Sequence, residues 1–399
     1  MRAVAVVAEY NPFHSGHKYH LMKTRENFPD KAVMVIMSSN YVQRGEPAIM
    51  DKRSRALSAL KNGADLIIEL PCVWSLSSAE RFAGAAVFLA AQSGVVDNIS
   101  FGAQTDDIEI LKKIAFVCGD RYYKREINEY YKSSGLPFPQ ARQKIVDDVL
   151  GKEIGSYLKY PENILAVEYL KAVRQFKSQI IPFAVKREGA SHDSDDINEK
   201  FISAKEIRSL ILSGKDYTKY IPENLLDIFK SEEENGFFPV SASDFDESVL
   251  SYLLRCRAED LLNTPDVSEG IENRIIDSVR KSSSLEELFF TAKTKRYTLS
   301  RIKRIIFNSY LGITKEDVSV TPPYLRVLGF NDAGRILLKQ INENMNYPVV
   351  MRYSDLSRLD SYAKRIFELE ARSQDLYFLT TKKRRIPGSD MTDEIIYIK

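Results

Sequence analysis

The 399-residue chain holds only three cysteines, four histidines and one tryptophan. The cysteines, Cys72, Cys118 and Cys256, are widely spaced and odd in number. That excludes a disulfide scaffold or a cysteine metal knuckle, and points to free thiols in a reducing compartment. No apolar run approaches the ~20 residues of a membrane-spanning helix, so no membrane association is expected. The amino terminus leads straight into a short strand instead of a secretory signal, which predicts a cytoplasmic protein. An excess of one charge is lacking as well. With 57 Lys and Arg against 55 Asp and Glu, the formal net charge is +2. This is too small to mark a nucleic-acid protein, and only local clusters can carry that signal. There is no internal repeat and no low-complexity tract. The 44% hydrophobic content supports full-sized cores in two or three domains.

Histidine is also concentrated: His14, His17 and His20 lie within one short stretch. Before them, Ala3 to Ala8 is valine-rich and bounded by turn residues, the pattern of a strand buried on both faces. Asn11-Pro12 marks a turn, and Lys18 to Arg25 continues in helix formers. His14-Ser15-Gly16-His17 therefore sits where a strand passes through a tight turn into a helix. Unpaired N–H groups and the positive end of the helix dipole suit phosphate there. Gly16 lets a nucleotide come close to the backbone. Two imidazoles so placed can donate to charge building on an α-phosphate during displacement. The motif resembles the His-x-Gly-His signature of the nucleotidyltransferase superfamily. Two other readings stay open: histidines satisfied by their own surroundings, and a zinc site, though no cysteine lies nearby to complete a tetrahedron.

Lys31 to Ser38, Ala64 to Leu70, Asn98 to Gly102 and Ile180 to Lys186 read as further strands alternating with helical segments. That is the pattern of an α/β fold with a doubly wound parallel sheet and right-handed crossovers. Ligands bind such sheets at the C-terminal ends of the strands. There lie the polar loop 39–47, with Asn40, Gln43 and Arg44, and the helix start Asp51-Lys52, where Asp51 is equally a cap. Gly102 ends the fourth strand, Asn163 opens a helix after Tyr160-Pro161, and Arg187 leaves the fifth strand, where a guanidinium clamps adenine or phosphate. Helices over 107–117, 121–133, 138–150 and 161–176 form an inserted lid or side layer. Ser203 to Arg208 opens a helix in which Lys205 and Arg208 stand where superfamily members bind triphosphate. The acidic stretch 222–239 marks a boundary. Helices then fill 242–311, and Pro322-Pro323 breaks the chain before short strands near 326–330, 348–350 and 395–398. The predicted domains are 1–220, nucleotide-binding, 240–315, helical, and a small α/β unit at 320–399.

Lys293, Lys295, Arg296, Arg301, Lys303 and Arg304 make the densest basic segment, with Tyr297 among them. On a helix starting near Thr298, Arg301 and Arg304 are one turn apart with Lys303 beside them, a row that can follow a phosphate backbone while Tyr297 stacks on an unpaired base. Lys382 to Arg385 is a second cluster. Solvated faces are the plain alternative.

Longer blocks narrow the reading. Ala8-Glu9-Tyr10-Asn11-Pro12-Phe13-His14-Ser15-Gly16-His17, Tyr41 to Ala48, Gly63 to Pro71, Asn163 to Leu170 and Thr294 to Thr298 closely resemble the bacterial tRNA(Met) cytidine acetate ligase family, in order, over most of the chain. The resemblance implies a Rossmann-like HxGH nucleotidyltransferase domain and two steps. Acetate and ATP give acetyl-adenylate and pyrophosphate; the wobble cytidine of elongator tRNA(Met) then becomes N4-acetylcytidine. It implies ATP contacts from Val7, Ala8, Glu9, Tyr10, Asn11, Pro12, Phe13, His14, Ser15, Gly16, His17, Lys18, Tyr19 and His20, with Gly102, Asn163, Arg187 and Glu188. His14, His17 and Lys18 would be catalytic, Mg²⁺ would accompany ATP, and the six basic residues would hold tRNA. Glu188 replaces an apolar residue of the family pattern, so its part would fall to backbone atoms. Two competing readings are an adenylyltransferase of a small metabolite and an RNA-binding protein with a relic nucleotide fold. Salt-sensitive tRNA binding separates the first from the ligase, and pyrophosphate exchange excludes the second.

Overall fold

The computed structural model describes residues 1–187, 201–344 and 347–399. Its strands are β1 (Ala3–Ala8), β2 (Ala32–Ser38), β3 (Tyr41–Val42), β4 (Glu46–Pro47), β5 (Leu66–Leu70), β6 (Val96–Ala103), β7 (Ile181–Lys186), β8 (Leu325–Phe330), β9 (Val349–Val350) and β10 (Ile396–Tyr397). All but β3 and β4 form one mixed, mostly parallel sheet in the order β10-β8-β5-β2-β1-β6-β7, with β9 also on β8. β1 lies between β2 and β6, its Val4 level with Val33 and Asn98. Side chains alternate across the sheet: Ala32, Met34 and Ile36 enter one core, and Val33, Val35 and Met37 the other. That two-sided burial is why the strands read as unbroken apolar runs.

Helices cover both faces. Asp51, Ser78 and Asp107 cap Lys52–Leu60, Ala79–Gln92 and Ile108–Gly119 by accepting first-turn N–H groups. The insertion between β6 and β7 holds Ile108–Gly119, Arg121–Ser134, Phe138–Leu150 and Pro161–Gln175, close to the expected spans. Asp246–Leu253, Ile271–Val279, Leu285–Ala292 and Leu299–Leu311 form the helical region. Among the described residues, no helix is long and apolar enough to cross a membrane.

The C-terminal strands do not make a sheet of their own. β8 pairs antiparallel with β5, and β10 and β9 add to β8. This covers the backbone edge that β5 would otherwise leave unpaired. A buried ion cluster ties the same join. Lys52 Nζ meets Glu69 (2.7 Å), Glu370 (3.0 Å) and Asp390 (2.9 Å), and Arg326 meets Glu69 (3.3 Å) and Asp390 (2.5 Å). Glu370 also accepts the N–H of Cys72 at 2.6 Å. Lys52, expected beside the first turn, thus points into the core. The loop 39–47 is more ordered than expected, since β3 and β4 fold it into a hairpin.

Candidate active site

The chain leaves β1 through Tyr10, whose φ of +48° takes it into the left-handed region and turns it off the sheet. Asn11 is buried and accepts from the N–H of Ile49 (2.8 Å), and its carbonyl accepts from Arg208 (2.8 Å). Ser15 Oγ donates to the carbonyl of Tyr220 (2.9 Å). The backbone of Ile49 and Tyr220 and the side chain of Arg208, from three distant segments, therefore hold the loop in place.

His14 is the N-cap of helix Ser15–Asn27. Its Nδ1 accepts from Gly16 N–H (3.0 Å), and His17 Nδ1 accepts from His14 N–H (3.3 Å). The rings lie 3.8 Å apart between centroids, with Tyr10 edge-on to His17 at 4.9 Å. A Cβ at Gly16 would come within 2.8 Å of His14 Cε1, so a side chain there would displace the His14 ring. Burial, helped by the nearby charges of Arg187 and Arg208, lowers His14 to about 3. Burial also takes His17 well below the ordinary histidine value. Both rings are then neutral near pH 7. With Nδ1 accepting, the ring proton sits on Nε2, so each histidine offers an Nε2–H donor.

His20 differs. Its Nε2 meets Ser100 Oγ (3.0 Å), which also meets Thr24 Oγ1 (2.8 Å), so it anchors the helix to β6. Lys18 is exposed, and Tyr19 packs near Phe201. Val7, Ala8 and Pro12 continue the loop from the end of β1, and Phe13 packs between Tyr10 and His17. Gly102 lies within β6, with Arg187 Nε 3.5 Å from where its Cβ would be. Arg187 pairs with Glu162 (2.8 Å) and its charge reaches all three histidines. Asn163 is buried, accepting from Gln104 N–H (3.0 Å) and donating to the carbonyl of Tyr157 (3.0 Å). Its amide thus holds the strand end in place. A cleft of about 630 Å³ opens between Tyr19, Lys23, β7 and Arg187. Glu188 lies outside the described residues.

Sequence reasoning missed Arg55. It is wholly buried and donates to the carbonyls of Glu9 (2.6 Å), Ser39 (2.5 Å) and Met50 (2.9 Å), stapling the ends of β1 and β2 together. The available signal was helical spacing: Arg55 falls on the same face as the buried Ala59.

The basic segment divides. Lys293, Lys295 and Arg296 are exposed, and Arg296 also pairs with Glu269 (3.0 Å). Arg301 reaches Ser268 Oγ (2.7 Å), Arg304 pairs with Asp266 (2.8 Å), and Lys303 pairs with Glu46 of the hairpin. Tyr297 is buried and donates to the carbonyl of Glu269 (2.6 Å), so it does not offer a free stacking face as expected. The acidic loop 266–269 draws this row inward. Gly45 makes the close hairpin contact: at φ +83°, its Cβ would lie 2.6 Å from Arg304 N.

The chain matches the HIGH Nucleotidyl Transferase family model over residues 1–390. It is 40% identical over 403 residues to the tRNA(Met) cytidine acetate ligase of Thermoanaerobacter sp. (strain X514), covering 99% of this chain and all of that protein. It is 39% identical over 404 residues to the protein of that name from Caldanaerobacter subterraneus subsp. tengcongensis, again covering 99% of this chain and all of the relative. The crystal structure of Thermotoga maritima TmcAL bound with alpha-thio ATP superposes at a TM-score of 0.91, with 30% identity and full coverage of both chains. Histidines set as neutral donors at the first helix of a parallel sheet, in a chain similar from end to end to these proteins, place it plainly: the chain belongs to the tRNA(Met) cytidine acetate ligases of the HIGH nucleotidyl transferase family.

Proposed function

We propose that the chain activates acetate with ATP and transfers the acetyl group to N4 of the wobble cytidine of elongator tRNA(Met). The observation that carries the reading is the pair of Nε2–H donors of His14 and His17, held by backbone N–H groups at a helix N-terminus. In the first step an acetate oxygen attacks the α-phosphorus, the bond from that phosphorus to the α,β-bridging oxygen breaks, and pyrophosphate leaves with the electron pair. Negative charge grows on the α-phosphate oxygens, where two preorganised neutral donors stabilise it without reorganisation. Arg187 and Arg208 supply fixed positive charge on either side, and Lys18 reaches the outer phosphates. The second step gives N4-acetylcytidine and AMP. The exposed Lys293, Lys295 and Arg296 contact tRNA phosphates. Arg301, Lys303 and Arg304 support that surface through their ion pairs.

Mg²⁺ bound to the nucleotide would neutralise part of the charge on its phosphates. Among the described residues no three His, Cys, Asp or Glu side chains are grouped to hold a metal. A tRNA substrate fits a cytoplasmic enzyme. The test is pyrophosphate release with and without acetate and elongator tRNA(Met). Release that needs acetate, falls by 10²-fold or more in His17→Ala, and leaves labelled acetate on tRNA supports the reading. Release without acetate, or acetate that never reaches tRNA, overturns it.

A further inference from the structure

Acetylating a cytosine amine requires an acceptor for its proton. The N4 lone pair is delocalised into the ring, so the amine becomes a competent nucleophile only as that proton leaves. The two active-site histidines are unsuited to the task. Each uses Nδ1 to accept a backbone N–H, and each Nε2 already carries a hydrogen.

Glu9 is the single acidic residue of the loop Val7–His20. It is the first residue after β1, and its Oε1 accepts from Gln43 N–H at 2.9 Å. Gln43 lies in the β3–β4 hairpin, whose Glu46 pairs with Lys303 and whose Gly45 packs on Arg304. The carboxylate therefore stands where the adenylation loop meets the hairpin that carries the basic helix. Oε2 takes no hydrogen bond among the described residues. Arg208 faces Glu9 from helix Ala204–Leu212, Arg44 from the hairpin, Arg55 from helix Lys52–Leu60 and Tyr169 from helix Pro161–Gln175. Burial raises Glu9 above the ordinary carboxylate range, against the pull of Gln43 N–H and the arginines. A carboxylate shifted toward neutrality is better matched to base catalysis than an ordinary one.

We propose that Glu9 is the proton acceptor of the second step, taking the N4 proton of the incoming cytidine through Oε2. The proposal rests on the acetyl-transfer reading above. As the N4 pair attacks the acetyl carbonyl carbon, a C–N bond forms and the N–H proton passes to Glu9. The tetrahedral intermediate collapses, the bond between the acetyl carbon and the phosphate oxygen breaks, and AMP leaves with that pair. The proton then returns to solvent.

The experiment supplies preformed acetyl-adenylate and elongator tRNA(Met) to excess enzyme, so that ATP chemistry is bypassed, and follows N4-acetylcytidine from pH 6 to 9. Wild type should rise with pH to a plateau. Glu9→Gln should transfer at least 100-fold more slowly at neutral pH, within the ~10²–10⁴ range of general-base losses, and its rate should keep rising with pH without a plateau. Glu9→Asp should restore the plateau at a shifted apparent pKa. Transfer by Glu9→Gln within threefold of wild type, with the same pH profile, would overturn the assignment. If Glu9→Gln does not fold, an unshifted plateau in Glu9→Asp overturns it. If wild type itself leaves tRNA unacetylated, the acetyl-transfer reading fails and Glu9 loses its role with it.

Discussion

Replacing Lys52 by Met tests how the two ends of the chain are joined. Lys52 and Arg326 are two cations enclosed with three carboxylates, Glu69, Glu370 and Asp390. The cluster therefore carries one uncompensated negative charge unless a proton is bound. Glu69 supplies that site: burial and the charge of Glu370 push it up to about 8, so the Glu69–Glu370 pair holds a proton at pH 7. Lys52→Met preserves the volume of the stem but leaves three buried carboxylates facing a single arginine. Removing one partner of a buried ion pair costs ~3–5 kcal/mol. With an unfolding entropy of about 2.1 cal/mol/K per residue over 399 residues, that corresponds to a fall in Tm of roughly 4–6 °C. Differential scanning calorimetry at pH 7 reads it directly. A loss below 1 °C would mean that water or relaxation solvates the cluster, and the account of the C-terminal join would be wrong.

Glu69→Gln probes the same cluster through pH. A carboxyl raised from 4.5 to about 8 by folding contributes stability that is complete below pH 4.5 and is lost as pH rises to 8, at about 1.4 kcal/mol per unit. The amide does not titrate, so Tm of Glu69→Gln should gain on wild type between pH 5 and 8 and run parallel above; a constant difference would refute the shift. Gly45→Ala places a Cβ at φ +83° and 2.6 Å from Arg304 N. It should cost at least ~1–2 kcal/mol by urea unfolding, and acetyl transfer should slow as the hairpin moves; wild-type stability would contradict the packing. Lys295→Ala and Arg296→Ala should each lower the salt slope of tRNA binding by about one, measured by filter binding. Arg304→Ala, which leaves Asp266 with one partner fewer, should lower Tm and leave that slope unaltered.

The strands and helices of the first 187 residues were legible because they are locally specified. β1, β2 and β5 are apolar runs of strand length, and Asp51, Ser78 and Asp107 are caps at the positions a helix start needs. The His14–His17 motif was legible for the same reason: its strand, turn and helix are consecutive in sequence, and the hydrogen bonds that orient the two rings run within four residues. Other assignments turned on partners far away in the chain. Lys52 and Arg55 lie three residues apart on one helix with similar local surroundings. One meets Glu370, 318 residues on, and the other the carbonyls ending β1 and β2.

Sequence alone therefore determined the parallel α/β core, the order of its elements and the chemistry at the end of β1, since periodicity, caps and turn residues act over a few positions. Tertiary structure decided which charges face water. It sent Arg304 and Lys303 inward to Asp266 and Glu46, left Lys293 and Lys295 exposed and Arg296 exposed but paired with Glu269, and laid β8 antiparallel on β5. A basic residue looks the same in sequence whether it faces solvent or a carboxylate. Only the folded chain brings the carboxylate within ~3 Å, where it replaces part of the water that each charge gives up on burial.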